Sequence, residues 1–137
     1  MDVTESTYKQ SDISGLKFLT RIRCDFSDLR DHRFNHKFNC RSAICKCGVE
    51  NETTTHYLLK CNQYVHARQI LFTNIHTIAG IEHSQLSDSD LAKILLYGNP
   101  HLSDAQNHNI LSETIYFIHR TKRFVVIEAY QDENIPN

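Results

Sequence analysis

Residues 45–61 read Cys45-Lys46-Cys47-Gly48-Val49-Glu50-Asn51-Glu52-Thr53-Thr54-Thr55-His56-Tyr57-Leu58-Leu59-Lys60-Cys61. Three thiols and an imidazole fall inside this short window. Structural zinc takes such a set: four tetrahedral ligands drawn from cysteine thiolates and histidine. Soft sulfur with borderline imidazole suits Zn²⁺, and suits Mg²⁺ or Ca²⁺ poorly. Cys45 and Cys47, one residue apart on a turn, can both point at one ion, and Gly48 relieves the crowding where the chain reverses. Thr53 or Thr54 is a fitting helix start, with Glu52 set against the positive end of the dipole. His56 then lies in the first helical turn and Cys61 near the far end. Cys45, Cys47, His56 and Cys61 are therefore the predicted zinc ligands. Because four protein ligands fill the shell, a structural ion is expected rather than a catalytic one. The competing account makes the cysteines small buried hydrophobes and His56 a polar cap residue.

Outward from this window the apolar spacing is helical. Upstream, Leu16, Phe18, Leu19 and Ile22 form one face of a helix opening at Ser14, with Lys17, Arg21 and Arg23 largely opposite. Ser27 or Asp28 caps a short turn containing Leu29, with Phe34 and Phe38 expected to pack behind it. Downstream, Tyr64, Ala67, Leu71, Ile75 and Ile78 recur at three- and four-residue steps and stop near Gly80. Ser87 or Ser89 opens a further helix, ended by Gly98-Asn99-Pro100. Ser103 with Gln106 reads as a capping box for the last helix, which carries Leu111, Ile115, Ile118 and Val125 in one apolar row and Ile110, Phe117 and Phe124 beside it. Phe124-Val125-Val126-Ile127 is compatible with that helix or with a short strand. The fold expected is mainly α: one small domain of four to five helices with an inserted CCHC zinc-knuckle loop. Its boundaries are read as a polar tail over 1–13, a helical domain over 14–129 containing the knuckle at 45–61, and a second polar tail over 130–137.

The 137 residues, 40% hydrophobic and 23% charged, are globular in composition and enough for one domain. Five cysteines and an N-terminus of MDVTESTYKQ, which lacks an apolar signal segment, fit an intracellular protein of the nucleus or cytoplasm. No apolar run is long enough to span a membrane. Net charge is −1, but its distribution is uneven. Residues 17–68 carry ten basic and five acidic side chains, whereas residues 69–137 carry four and eight. The positive charge therefore surrounds the cysteine cluster and points to an anionic partner there, DNA or RNA. The candidate contacts are Arg21 and Arg23 in the first helix, Arg30, Arg33 and Lys37 in the second, and Arg41, Lys46 and Lys60 around the cluster. His32 and His36 read as ordinary surface residues or, if this stretch is helical, as partners of Arg30, Arg33 and Lys37 on one phosphate-contacting face. Cys24 and Cys40 are left over, as packed or free thiols or as alternative ligands. No nucleophile motif, phosphate loop or carboxylate pair stands out, so neither an enzyme nor a small-molecule substrate is expected.

Leu19-Thr20-Arg21-Ile22-Arg23, His36-Lys37-Phe38, Cys45-Lys46-Cys47-Gly48, Glu52-Thr53-Thr54 and His56-Tyr57-Leu58-Leu59-Lys60-Cys61 together resemble the region C-terminal to the polymerase core in non-LTR (LINE-like) retrotransposon reverse transcriptases. Leu95-Leu96-Tyr97-Gly98-Asn99-Pro100 and Lys122-Arg123-Phe124 extend the likeness, which covers roughly residues 16–125. The resemblance implies a CCHC zinc knuckle with Cys45, Cys47, His56 and Cys61 as ligands, a role in gripping nucleic acid, and a reverse transcriptase core as partner. The family's paired polymerase aspartates are not among these residues, so the resemblance implies no polymerase activity here. The alternative is a protein-interaction or relic domain whose zinc only holds the fold together.

Overall fold

A computed structural model describes residues 10–36 and 40–124. Among them are five α-helices: α1 (Gln10–Arg23), α2 (Arg30–Asn35), α3 (Val65–Ala79), α4 (Asp88–Tyr97) and α5 (Asp104–Thr121). The described residues contain no strand beyond a single antiparallel bridge, Ile44 to Asn51. The chain is mainly helical, as its spacing predicts.

Local chemistry sets most of the boundaries. Ser87 accepts from the Asp90 N–H and opens α4. Ser103 and Gln106 exchange both bonds of a capping box at the start of α5. α3 ends where Gly80 turns left-handed. Two boundaries depart from expectation. α1 is already helical at Gln10, the first described residue and ahead of Ser14, and residues 10–13 contain neither proline nor glycine to stop it. α2 has Leu29 at its N-cap with no side-chain cap; the Ser27 hydroxyl instead accepts from the Leu29 N–H at 3.1 Å. Val125, Val126 and Ile127, the tail at 130–137 and most of the tail at 1–13 lie outside the described residues, as do Lys37 and Phe38.

α5 is the central element, with α1, α3 and α4 packed around it. The core gathers Leu19 and Ile22 of α1, Leu71 and Ile75 of α3, Leu91 and Leu95 of α4, and Ile110, Phe117 and Ile118 of α5. α1 comes close because Gly15 lies against Ile115: a Cβ there would collide with the Ile115 side chain and with His119. Tyr57, fully buried, ties the cysteine-rich segment into this core. Its ring meets Tyr64, Phe117 and Phe124 edge-on, and its hydroxyl lies 2.7 Å from Thr121 Oγ1. Burial raises its phenol well above the ordinary range, so that hydroxyl stays protonated.

Candidate metal centre

Residues 43–52 form a tight hairpin. Cys45 N–H donates to the Glu50 carbonyl (2.9 Å), Glu52 N–H to that of Ala43 (2.8 Å), and Gly48 N–H to that of Cys45 (2.9 Å). Gly48 turns the chain at φ +81°, a conformation that a Cβ disfavours. The hairpin delivers Cys45 and Cys47 from one side.

His56 and Cys61 come from the other side, on a turn that is not α-helical. Five residues along an α-helix place two side chains about 140° apart around its axis, too far to share an ion comfortably. His56–Lys60 is instead a π-helical turn, closed by the Cys61 N–H donating to the His56 carbonyl at 2.8 Å. This wider turn brings the two ligands round to the same side. Thr53 Oγ1 accepts from the His56 N–H at 3.0 Å and caps the start of the segment.

Arg68 holds the far end. Its guanidinium, buried in α3, donates to the carbonyls of Leu58 (2.9 Å), Cys61 (2.8 Å) and Tyr57 (3.2 Å). These carbonyls lie at the end of the π-turn, where regular helical partners run out. Arg68 is therefore a structural residue, not a surface cation.

The four predicted ligands converge. One ligand atom from each of Cys45, Cys47, His56 and Cys61 lies within 4.8 Å of the other three. The two sulfurs of Cys45 and Cys61 are 3.8 Å apart, and Cys47 Sγ is 3.3 Å from His56 Nε2. Sulfur at about 2.3 Å and nitrogen at about 2.0 Å from a tetrahedral ion would stand roughly 3.8 and 3.5 Å apart. The donor set can hold a metal ion. Comparison with known proteins finds no matching family model, no similar curated protein and no similar solved structure. The geometry of these four side chains thus carries the assignment.

The surroundings fit a cation. Burial pushes the Cys45 thiol up to about 12, so a positive ion is what would ionise it. The Cys47 thiol is lowered, chiefly by the Val49 backbone N–H. Gln63 donates to Cys61 Sγ at 3.2 Å and to Cys45 Sγ at 3.5 Å, two bonds that strengthen as the sulfurs gain charge. His56 Nδ1 is buried with no hydrogen-bond partner, 3.7 Å from Glu50 Oε1. With Nε2 turned to the sulfurs as a ligand, Nδ1 carries the ring proton and faces that carboxylate.

Glu52 anchors the hairpin to the helical body. Its carboxylate takes Arg123 as a bidentate pair (2.8 and 2.9 Å) and the Arg30 N–H at 2.8 Å. Arg123 also donates to the Asp28 carbonyl at 2.9 Å. Burial alone would raise Glu52, but the Arg123 hydrogen bonds and charge outweigh it and hold the carboxyl below its usual range.

The remaining candidates separate. Arg30, Arg33, Arg41 and Lys46 line one cleft, which also includes Lys122 and Arg123. Arg21 is exposed on α1. Arg23 is half-buried, bonded to the Leu96 carbonyl and lying over the Tyr97 ring at 5.0 Å. Lys60 pairs with Asp88 at 3.0 Å. Lys37 lies outside the described residues.

The expected His32–His36 face does not form. His32 is 4% exposed, and its Nδ1 lies against the Ser27 N–H (3.2 Å) and hydroxyl (2.8 Å), with Nε2 3.1 Å from Thr54 Oγ1. His36 is exposed and stacks on Phe26. Phe34 is exposed too, rather than packed behind Leu29. α2 is too short to bury two faces, and His32 occupies the inner one. Cys24 is exposed and Cys40 half-buried, its thiol donating to the Ser42 carbonyl at 3.0 Å; neither joins the cluster. Gln63, Arg68 and Arg123 are the functional neighbours that sequence spacing alone does not reveal.

Proposed function

We propose that this chain is a zinc-stabilised, non-catalytic module that binds nucleic acid through the basic surface around its metal centre. The convergence of three sulfurs and one imidazole is the observation that carries this reading. Thiolate and imidazole in a tetrahedral set favour zinc over harder cations. A shell closed by four side chains leaves no position for a substrate or an activated water, which favours a structural ion. Basic residues concentrated in positions 17–68 supply the attraction for phosphate. The likeness to the C-terminal region of non-LTR retrotransposon reverse transcriptases points the same way and suggests a polymerase core as a natural neighbour in the nucleus or cytoplasm.

Metal analysis by mass spectrometry tests the first half: one zinc per chain is expected, and its absence sinks the reading. Binding of labelled DNA and RNA across a salt series tests the second. Affinity is expected to fall linearly with log salt; a Kd no better than about 1 mM at low salt defeats the nucleic-acid role.

A second reading, a protein-interaction or relic domain with purely structural zinc, draws on a different observation. A groove of about 540 Å³ along the end of α4 is lined by Leu86, Ile94, Tyr97 and Pro100, with Tyr97 58% exposed. Capture of a polymerase core by the zinc-loaded protein, without salt-sensitive nucleic-acid binding, would favour it.

A further inference from the structure

A cleft of about 660 Å³ opens beside the metal centre. Its cations come from three parts of the chain: Arg30 and Arg33 of α2, Arg41 just before the hairpin and Lys46 within it, and Lys122 and Arg123 from the turn after α5. These six cations face only two carboxylates, Asp28 and Glu52. Both carboxylates are already engaged. Asp28 lies 3.3 Å from Arg33, and Glu52 takes Arg123 and the Arg30 N–H. Among the described residues Arg41, Lys46 and Lys122 have no acidic partner, and all three are exposed. In a chain whose net charge is −1, so much uncompensated positive charge around one concavity is held against mutual repulsion. A polyanion relieves that repulsion and releases its own condensed counterions on binding.

The shape narrows the choice of polyanion. A duplex presents grooves that receive a protruding helix or ribbon, whereas a cation-lined concavity of this size takes a flexible chain laid into it. Tyr64, half-buried in the lining, adds an aromatic surface beside the cations. The metal centre bears on the cleft directly. Lys46 stands between two ligands, and Gln63, also in the lining, donates to the sulfurs of Cys45 and Cys61.

We infer that this cleft binds the phosphodiester backbone of a single-stranded nucleic acid, held by Arg41 just before the hairpin, Lys46 within it and Lys122 from the turn after α5. The inference rests on the nucleic-acid reading above and adds the strand type and the residues that grip it, Lys122 among them.

Fluorescence anisotropy on the zinc-loaded full chain tests it, with labelled oligothymidylate of about 12 nucleotides, within the span of small single-strand binders, and a duplex of matching length. The first variant combines Arg41→Glu with Lys122→Glu and leaves the hairpin untouched; the second is Lys46→Glu. The control combines Lys93→Glu with Arg120→Glu, exposed positions of α4 and α5 outside both the cleft and the basic segment. Wild type is expected to prefer the single strand. The first variant should bind it at least about tenfold more weakly, with the salt slope reduced by about 1.4, the share of two phosphate contacts. Lys46→Glu should weaken it in the same direction, and the control should change it less than about threefold, since it leaves those contacts intact. If the cleft variants bind as wild type, nucleic acid binds elsewhere: the cleft assignment falls and the nucleic-acid reading stands. Preference for the duplex overturns the strand assignment alone. Failure of wild type to bind either probe at low salt overturns both. Selective binding of oligoglutamate would make the cleft a dock for an acidic peptide and likewise overturn the inference.

Discussion

His32 is neutral in the fold because of its surroundings. The Ser27 N–H points at Nδ1, so that nitrogen accepts and the ring proton sits on Nε2, facing Thr54 Oγ1. Burial lowers its pKa, outweighing the pull of Asp25, whose Oδ1 lies 3.4 Å from Nε2 on an exposed side chain. The unfolded chain binds a proton near pH 6.5 and the folded chain only below it. Between those values the unfolded state holds more protons, so stability rises with pH and erodes as pH falls through 6.5. A metal held by Cys45, Cys47, His56 and Cys61 would impose a trend of the same sign, so the informative quantity is a difference. In His32→Gln, Tm measured from pH 7.5 down to 5 is expected to fall less steeply than in wild type. Equal slopes would mean that folding leaves the His32 pKa where it stands in the unfolded chain.

At the scale of the element, the π-turn depends on Arg68. Replacement by Met keeps much of the buried stem but strips three buried carbonyls of charged donors, a loss on the order of 3 kcal/mol. Denaturant unfolding should register that loss, and zinc affinity should fall with it because His56 and Cys61 lose their relative placement. Arg68→Lys is expected to recover only part, since one ammonium cannot reproduce the planar fork. An Arg68→Met protein with wild-type stability would deny the turn this support. The contrast with the other helices shows which features can be read from the chain. Ser87, Ser103 with Gln106, and Gly80 act within a few residues of themselves, so local capping rules place the ends of α3, α4 and α5. The four ligands were legible for the same reason, being dense in a short window. The π-turn was not: its shape comes from a closing bond between two ligands and from an arginine on the following helix, and no periodicity encodes either. His32 misled because an i, i+4 pair beside arginines resembles a surface stripe, while its bonds to Ser27 and Thr54 exist only after folding.

For the molecule as a whole, the metal centre and the helical body share one core. Tyr57 lies one residue from a ligand, yet its ring packs on Phe117 and Phe124, and Glu52 and Arg123 bridge the hairpin to the end of α5. Removing zinc should therefore weaken the entire domain rather than release an independent loop. Structural zinc contributes on the order of 10 kcal/mol of apparent folding free energy in small modules. Even part of that lowers Tm by more than about 10 °C in a chain of this length. A chelator is expected to produce one cooperative transition at lower temperature, followed by far-ultraviolet circular dichroism. Two separate transitions, with the helical signal melting where it did before, would show that the centre and the body fold apart.

Arg123 stands 71 residues beyond Glu52 and 95 beyond Asp28, and it touches both. During synthesis the carboxylate leaves the ribosome well before its guanidinium partner. At about 5–20 residues per second the gap lasts roughly 4–14 s. For that interval the N-terminal end of α2 lacks its clasp, and Arg123 closes a contact that Asp28 and Glu52 prepared earlier in translation. Nascent chains stalled short of Arg123 are expected to be cut by trypsin at Arg30 and Arg33, sites that the released protein should protect.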